Sequence, residues 1–498
     1  MKNIFETVNM KKPRRSAFDL SHEKKLSFNM GELIPSLLQE VVPGDHFKGK
    51  TETMVRMAPL IAPIMHRVNV FVHYFFVPNR IVWNEWEDFI TGGKDGTTAP
   101  VMPTIDFTAS QVAGKLPDYL GLPQSSNNPI NVNALPFWAY RKIFEDYYMD
   151  LNLQDPPTYN TDGAANSAIL NRAWEKDYFT SALPWPQRGP DVDMPVDGSF
   201  SPQYWDTSKV VRTDGTKGVG GNLGADDNIG IDADLTMGGT GLDSRIENLQ
   251  DPQTVDGLGV TIRQLRESSA LQRWLEKQAR GGSRYIETIL SHFGVKSSDQ
   301  RLQRAEYLGG GKSPIVISEV LNTSNTAEAP QGAMAGHGIS TGVTNEFNYK
   351  VEEHGYIMGI MSILPRTAYQ DGIPRTFSRR DKTDYYWPEF ANLGEQEVLN
   401  KEIYANNALP DGTFGYQQRY AEYKYAMDTV HGDFRSTLDF WHMGRQFATS
   451  PALNGPFIKA NPTDRIFAVS TGDKIWAQIY NEIKAKRPMP YFSNPSML

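Results

Sequence analysis

The sequence predicts a β-rich fold with long connections and several helices. It contains 32 Pro and 42 Gly, together with 24 Phe, 22 Tyr and 10 Trp spread along the chain. That composition is typical of many short strands joined by turn-rich segments. A chain of 498 residues can bury a large core. Its length would usually correspond to three domains, although a large β fold with long insertions can form one.

Runs of β-branched and aromatic residues predict the individual strands. Residues 67–77, RVNVFVHYFFV, are almost continuously apolar, as expected of a strand buried on both faces. Further strands are predicted at 314–321, 356–365 and 465–470.

Helical periodicity is clearest over 261–293, where apolar residues recur at helical spacing and Gly281-Gly282 divides the segment into two helices. Shorter helices are predicted at 83–89 and at 137–151. Residues 92–131 and 152–170 contain Pro, Gly and Asn throughout, which indicates long ordered loops.

Bulk properties exclude several classes of protein. There is no cysteine, so disulfides, thiol catalysis and thiolate metal sites are excluded. No apolar run approaches the ~20 residues that span a bilayer. The first residues, MKNIFETVNMKKPRR, lack the layout of a secretion signal. We therefore expect a soluble protein that folds in a cytoplasm without membrane insertion.

The charge is distributed unevenly. Residues 189–260 contain 13 acidic and 4 basic side chains, whereas the remainder of the chain has 46 basic and 45 acidic ones. Residues 1–25 are basic, with seven Lys and Arg against three acidic residues. Such asymmetry predicts that the two segments meet different surroundings.

Gly309–Ser313, GGGKS, resembles the end of a phosphate-binding loop. That motif needs a glycine six positions before the Lys, but Glu306 stands there and Pro314 follows the Ser. The residues after Pro314 predict a strand, not the helix that would bind phosphate. We interpret the glycines as a turn that leads into a strand.

No other catalytic or metal motif occurs in its required context. Gly338–Gly342, GISTG, has the nucleophile-elbow pattern, but its flanks predict a loop, so a glycine-rich turn is favoured. The nine histidines form no metal-binding pattern. Acidic pairs such as Asp226-Asp227 could bind calcium, but no Glu completes the pattern. We predict that the chain is not an enzyme and has no cofactor and no metal.

Two aromatic clusters could stack on bases or sugars, or could simply pack. They are centred on Trp174, Tyr178, Phe179 and Trp185, and on Tyr385, Tyr386, Trp387 and Phe390. Packing in the core or between subunits is favoured, because a stacking groove should also be basic. Here the nearby lysines are offset by acidic residues.

The basic N-terminal segment is the strongest candidate for binding nucleic acid. Contacts between its cations and phosphates would be weak, salt-sensitive and independent of base sequence. The alternatives are a solvated tail or an arm that laces neighbouring subunits, and the sequence does not choose between them. The candidate DNA-binding residues are Lys11, Lys12, Arg14, Arg15, Lys24 and Lys25.

The acidic, glycine-rich stretch 189–260 interrupts an otherwise ordered chain. Loops longer than about 15 residues are usually functional or disordered. We favour an element that projects outward and meets a partner, and the alternative is a mobile surface excursion. The candidate receptor-binding residues are Asp214, Asp226, Asp227, Asp232 and Asp234.

Seven segments resemble a known family and occur in the same order. The most specific is 301–324, RLQRAEYLGGGKSPIVISEVLNTS; the others lie at 15–47, 63–86, 279–295, 354–365, 386–404 and 434–447. They resemble the major capsid proteins of the gokushovirus branch of the microviruses, small phages with single-stranded DNA. The resemblance covers most of the chain, and residues 189–260 match poorly.

The resemblance implies an eight-stranded antiparallel jelly roll of the viral capsid type, with long insertions between strands. It also implies that about sixty copies form a T=1 icosahedral shell around a circular single-stranded DNA. Family members use a separate small basic protein for packaging, and an insertion forms outer protrusions at the threefold axes. We therefore expect a virion protein that assembles in the host cytoplasm, contacts DNA and binds a bacterial surface receptor.

Five segments follow from these expectations. They are a basic arm (1–30), the first part of the jelly-roll body (31–188), the acidic surface insertion (189–260), helices with the remaining strands (261–483) and a tail (484–498) that ties subunits together or follows the inner wall. Two other functions remain open: a glycan-binding or carbohydrate-active β protein, and a spike or portal component of a virion.

Overall fold

A computed structural model describes residues 14–94, 97–123, 129–190, 192, 209–212, 244–247, 262–281, 291, 304–323 and 332–492. The chain divides into two compact units, one made of residues 1–188 and 276–498 and the other of residues 189–275. The first unit contains almost all of the β structure. Its architecture is antiparallel throughout the paired strands.

The described residues form seventeen strands: β1 Ser16–Asp19, β2 His22–Phe28, β3 Ile34–Val41, β4 His46–Met57, β5 Val68–Pro78, β6 Thr104–Phe107, β7 Ile130–Asn133, β8 Lys209–Arg212, β9 Ser244–Glu247, β10 Glu306–Pro314, β11 Val316–Leu321, β12 Met334–Val343, β13 Phe347–Lys350, β14 Gly355–Pro365, β15 Glu395–Leu399, β16 Thr413–Gln418 and β17 Ile475–Arg487.

Helices in the described residues are mostly short: α1 Asn79–Val82, α2 Trp86–Thr91, α3 Ala109–Val112, α4 Leu116–Leu120, α5 Leu135–Ile143, α6 Gly163–Ser167, α7 Ile262–Gly281, α8 Asn400–Ile403 and α9 Gly455–Ile458. A π-helical segment, Phe144–Tyr148, continues α5 directly. Single 3-10 turns lie at Arg375–Ser378, Lys382–Asp384, Pro388–Phe390, Ala421–Tyr423, Gly432–Arg435 and Asp439–Trp441.

The large sheet has β17 and β4 at its centre. The N-terminal strands β1 and β2 lie end to end along one side of β17, and β12 and β13 lie end to end along the far side of β4. β11 forms the edge beyond β12. The chain's last strand therefore lies between its first strands and β4.

The small sheet has the order β10-β5-β14-β3. Its two central strands have the sequences VNVFVHYFFVP and GYIMGIMSILP, and every residue of β14 is buried. Such nearly continuous apolar runs are expected where both faces of a sheet are covered.

The two sheets pack face to face around one hydrophobic core. Val55 and Ile479 of the large sheet belong to the same buried cluster as Val70 and Ile363 of the small sheet. In β4 and β17, buried residues alternate with exposed ones, because one face points into this core and the other does not. The result is a β-sandwich.

A buried polar network lies inside this apolar core. The Tyr74 hydroxyl, from β5, hydrogen-bonds to the hydroxyls of Thr51 and Thr344. Thr51, on β4, donates at 2.8 Å to the Asn481 side chain of β17, which in turn donates at 3.0 Å to the Ser36 carbonyl of β3. Each group of the network has a partner, so burial of these polar atoms is tolerated.

Helices cover the outer face of the small sheet. Phe75, Val77 and Met358 point away from the sandwich core and join a second cluster with Phe137 and Tyr140 of α5. The Tyr140 hydroxyl anchors the helix by donating to the Leu33 carbonyl at 2.8 Å. Both faces of the small sheet are therefore buried along its central strands β5 and β14, whereas the edge strand β10 keeps exposed residues.

A third cluster joins residues far apart in sequence, including Phe179, Tyr369 and Phe414. The buried Asp177 carboxylate accepts hydrogen bonds from the hydroxyls of Thr367 at 2.6 Å and Tyr369 at 2.7 Å. It ties the chain around 177–180 to the chain that follows β14.

Several predicted elements are confirmed and others are not. β5 and β14 occupy the strands predicted at 67–77 and 356–365, and α5 with its π-helical continuation occupies the helix predicted at 137–151. α7 ends at Gly281, where the glycine pair was predicted to end a helix, while the second predicted helix lies outside the described residues except for a single position. The helix predicted at 83–89 is confirmed in part by α2, which begins three residues later, and a separate short helix, α1, precedes it.

The glycine turn predicted at Gly309–Ser313 is wrong, because these residues belong to β10 and pair with β5. A bulge lies between Tyr307 and Gly309, where Gly309 adopts a φ of 142°. A Cβ atom on Gly310 would lie 2.4 Å from the Val72 carbonyl oxygen. The glycines therefore allow a close approach of two strands, which explains them without any phosphate.

Two further predictions differ from the structure. GISTG was predicted to be a turn but lies within β12, where Ser340 donates to the Pro314 carbonyl at 2.8 Å. The strand predicted at 465–470 is wrong, since this segment makes only an isolated bridge from Phe467 to Leu60. Ile466 and Phe467 are buried, so the apolar run contributes to the core without joining a sheet.

Parts of the predicted N-terminal arm and C-terminal tail belong to the large sheet. The basic arm predicted at 1–30 is, from Ser16 to Phe28, part of the large sheet along β17. The predicted tail at 484–498 is, as far as Arg487, the end of β17 itself.

The second unit contains β8 and β9, which pair with each other, and most of α7. Most of residues 189–260 lies outside the described residues.

Replacing Gly310 with Ala should lower the free energy of unfolding by about 1–3 kcal/mol, because the new methyl group would overlap the Val72 backbone. Lys312→Ala should cost less than about 1 kcal/mol, since Lys312 makes an exposed ion pair with Glu175 at 3.4 Å. Urea unfolding of both variants would measure this contrast. A larger loss for Lys312→Ala would contradict the strand interpretation of this motif.

Candidate functional site

The outer face of the large sheet carries an ordered array of charges. We call it the open face. It consists of the outward side chains of β1, β2, β17, β4, β12 and β13 and of Glu346, which immediately precedes β13, whereas the corresponding face of the small sheet is covered by helices. A regular sheet holds these side chains in fixed rows, because directly opposite residues in paired strands point to the same side.

Cations predominate on the open face. It carries seven cationic and five anionic side chains, a net charge of +2, while the whole chain has a net charge of −8. The cations are Lys25, Lys48, Lys50, Arg56, Lys350, Lys484 and Lys486, and the anions are Asp19, Glu23, Glu52, Glu346 and Glu482.

Ion pairs hold several of these side chains in the plane of the face. Glu482 lies between Lys50, at 3.0 Å, and Lys484, at 3.2 Å. Hydrogen bonds from Lys50 and then Lys484 lower the pKa of Glu482. Lys48 lies 3.8 Å from Glu346. Exposed pairs of this kind contribute little to stability, so their cations stay available to an anionic partner.

One end of the open face is a shallow basic depression. It has a volume of about 460 Å³ and is lined by Ala17, Phe18, Asp19, His46, Lys48, Lys484, Ala485 and Lys486. In the described part of the chain Lys486 forms no ion pair. The Asp19 carboxylate accepts two hydrogen bonds from Ser21, and these lower the pKa of Asp19.

The predicted DNA-binding residues are placed in different environments. Arg14 and Arg15 are exposed just before β1, and Lys25 is exposed on the open face. Lys24 points the other way, and its ammonium donates to the carbonyls of Pro35 at 2.9 Å and Tyr119 at 2.5 Å. Lys11 and Lys12 lie outside the described residues, as do Asp214, Asp226, Asp227, Asp232 and Asp234.

Burial lowers the pKa of Lys24 from 10.5 to about 8. The adjacent residues Lys24 and Lys25 thus differ because consecutive side chains of a strand point to opposite faces. Lys24 is part of the packing between β2 and its neighbours, so we exclude it from the proposed DNA-contacting set.

Sequence reasoning missed most of the open face. Lys48, Lys50, Lys484 and Lys486 lie in strands that had not been predicted. The signal was present as alternation of apolar and polar residues in HFKGKTETMVRM and IWAQIYNEIKAKR, which is the period of a half-buried strand.

The aromatic cluster predicted around Trp174, Tyr178 and Phe179 is buried, in agreement with packing rather than stacking. The second cluster is different. Tyr385, Tyr386 and Trp387 are each about half exposed.

Comparison with known proteins identifies the family. A family model described as capsid protein (F protein) matches residues 6–497. This chain belongs to that capsid protein family.

Whole-chain relatives agree with the assignment. Capsid protein VP1 of Chlamydia phage 1 is 37% identical over 100% of this capsid protein and 98% of the relative. Capsid protein VP1 of Bdellovibrio phage phiMH2K is 36% identical, and that of Spiroplasma virus 4 is 31% identical, each over 97% of this chain and 95% of the relative. They confirm the resemblance to gokushovirus-like microviruses. Membership of a family of structural capsid proteins also confirms that the chain is not an enzyme.

Across the stretches that the structure describes, no helix is both long and apolar enough to cross a membrane.

The burial of Lys24 can be tested by measuring how the free energy of unfolding depends on pH. Between pH 8 and 10.5 the unfolded chain keeps a proton that folded Lys24 has lost, so this group makes stability rise with pH. In Lys24→Met we expect the rise between pH 8 and 10 to shrink by on the order of 2 kcal/mol. Urea unfolding at both pH values would measure it.

Lys25→Met is the matched control, since its side chain is exposed and one position away. This variant keeps the buried Lys24, so the rise in unfolding free energy that Lys24 produces should be retained. Equal slopes for all three proteins would show that Lys24 is not buried as described.

Proposed function

We propose that this phage capsid protein is the major shell protein of a T=1 icosahedral virion and that about sixty copies enclose a circular single-stranded DNA. The open face of the large sheet lines the inside of the shell and contacts the DNA. The acidic insertion at 189–260 projects outward and takes part in host attachment. A small basic DNA-binding protein supplies much of the charge neutralisation inside the virion.

The strand order supports an eight-stranded jelly roll as the body of the subunit. With β2, β3, β4, β5, β10, β12, β14 and β17 numbered one to eight, the large sheet has the order 1-8-3-6 and the small sheet 2-7-4-5. Successive strands thus alternate between the sheets or pair within one, as in a double Greek key.

The observation that carries the DNA contact is the cationic open face. A shell subunit has an inner and an outer surface, and the chain is acidic overall. An ordered face with a net of +2 in such a chain is electrostatically complementary to phosphate. Lys11, Lys12, Arg14, Arg15 and Lys25 remain proposed contacts, the last of them on this face.

Weak binding by one subunit is sufficient in a closed shell. Each neutralised phosphate releases counterions, so a few lysines give modest and salt-sensitive affinity. Many copies held in one particle act on the same strand, and their contributions multiply. A nearly neutral body is also consistent with a separate packaging protein.

Subunit contacts require buried area, commonly ~2,000 Å² or more in obligate assemblies. The aromatic residues Tyr385, Tyr386 and Trp387 are about half exposed, and Tyr423 packs against Tyr386; interfaces are enriched in such residues. We assign this surface to contacts between copies of the chain.

The outward role of 189–260 is supported by its charge. The segment has a net of −9 in a chain whose remainder has a net of +1. Repulsion from the packaged phosphates disfavours an inward position. The proposed receptor contacts are Asp214, Asp226, Asp227, Asp232 and Asp234.

The combined substitution Lys48→Gln, Lys484→Gln and Lys486→Gln should weaken binding to single-stranded DNA and flatten its salt dependence. For single strands the slope of log K against log salt changes by about 0.7 per contact, so losing three contacts removes about 2 from the slope. Anisotropy titrations of a labelled oligonucleotide at several salt concentrations would measure it.

A triple Lys→Gln variant at Lys115, Lys424 and Lys459 keeps the net charge of the test variant but leaves the open face intact, because these exposed lysines lie elsewhere. Its slope should match that of the unmodified protein. An equal loss of salt dependence in both variants would mean that DNA binding follows the total charge and that the open face has no special role.

Deleting residues 200–250 should leave assembly intact and abolish attachment to the host. Negative-stain electron microscopy of the full chain and the deletion variant, with and without single-stranded DNA, would test assembly, and adsorption to host cells would test attachment. Closed particles for both chains with adsorption lost only in the variant is the expected result. Loss of particles in the variant alone would make the segment structural.

A further inference from the structure

The open face carries two outward aromatic side chains of β17, Trp476 and Tyr480, and Trp476 is the more exposed. Trp476 lies near the start of β17, and its indole is 48% exposed. Its neighbours Ile475 and Ala477 are buried on the opposite side of the strand, in the sandwich core. The register of β17 therefore fixes Trp476 outward, near one end of the large sheet.

We propose that Trp476 stacks on a DNA base. The open face would then recognise unpaired nucleotides through their bases as well as through their phosphates. This inference rests on the proposed DNA contact of the same face and names the part of the DNA that is recognised. The ligand is an unpaired base on a single strand, with its phosphates on the neighbouring cations.

The surroundings of Trp476 suit such a ligand. Across the two adjacent strands its register partners are Arg56, on β4, and Ser27, on β2. Ser27 is small, and its hydroxyl donates to the Asp473 carboxylate at 2.6 Å. Arg56 is exposed and, among the described residues, has no carboxylate within ion-pair distance.

Two residues further along, Gln478 has Lys25 and Met54 as its register partners on the flanking strands. Both side chains point outward, like Trp476. The indole is therefore placed between two cations, Arg56 and Lys25, with an exposed thioether beside it. A nucleotide seated there can place its base on an aromatic ring while its flanking phosphates meet positive charge.

Stacking is selective in a way that the lysines are not. Every base offers a flat face to an aromatic ring, but in a duplex those faces are covered by neighbouring base pairs. Lysine–phosphate contacts, in contrast, depend on charge density and salt. The combination on one rigid sheet favours single strands without requiring a particular base sequence.

The test separates bases from phosphates. The full chain is titrated into two labelled oligomers of equal length, oligo(dA) and an abasic oligomer with the same number of phosphates. We expect the unmodified protein to bind oligo(dA) about tenfold more tightly. Trp476→Ala should lose this preference and leave binding of the abasic oligomer unchanged, while Trp476→Phe, which keeps a ring, should retain most of the preference.

Phe377→Ala is the matched control, since Phe377 is 79% exposed and lies outside the open face. It should behave like the unmodified protein. Equal binding of the two oligomers by the unmodified protein overturns the stacking role and leaves the phosphate contact in place. A Trp476→Ala variant that still binds oligo(dA) more tightly than the abasic oligomer also overturns the stacking role. No binding of either oligomer would overturn the proposed DNA contact itself, and stacking with it.

Discussion

The small polar network inside the sandwich determines how the two sheets meet. Apolar contact has no preferred direction, but a buried hydroxyl or amide needs its partner in place. Tyr74 on one sheet bonds to Thr51 on the other, and Asn481 extends the link to the Ser36 carbonyl. A one-residue slip of β4 or β17 would break these bonds and turn the lysines of the open face inward. The chemistry of the outer face thus depends on hydrogen bonds in the core.

How much the sequence could predict depended on what covers each strand. β5 and β14 are buried on both faces, so they are continuous apolar runs and were predicted correctly. β4 and β17 are buried on one face, so their apolar residues alternate with polar ones, and these strands were not predicted. The apolar run at 465–470 was predicted as a strand but is not one. Ile466 and Phe467 are buried in the core without pairing in a sheet. The pairing that joins β17 to both β2 and β4 spans nearly the whole chain, and no local pattern encodes it.

The candidate site was predictable only in part. The basic character near the N-terminus was visible in the sequence, but which lysine of the Lys24-Lys25 pair faces outward required the strand register. Lys484 and Lys486 were assigned to a tail, although they are the end of a central strand beside Lys48. The family, in contrast, was predicted from sequence segments, since a whole-chain resemblance needs no knowledge of contacts.

The position of β17 has a consequence for folding. Its residues follow all the other described strands in sequence, yet they form the middle of the large sheet, between the chain's first strands and β4. Without β17, β2 and β4 have no strand between them and the core of the sandwich is open on that side. The large sheet therefore depends on pairings between residues more than 400 positions apart, and such non-local pairings form slowly because the entropy of closing the long loop must be overcome first.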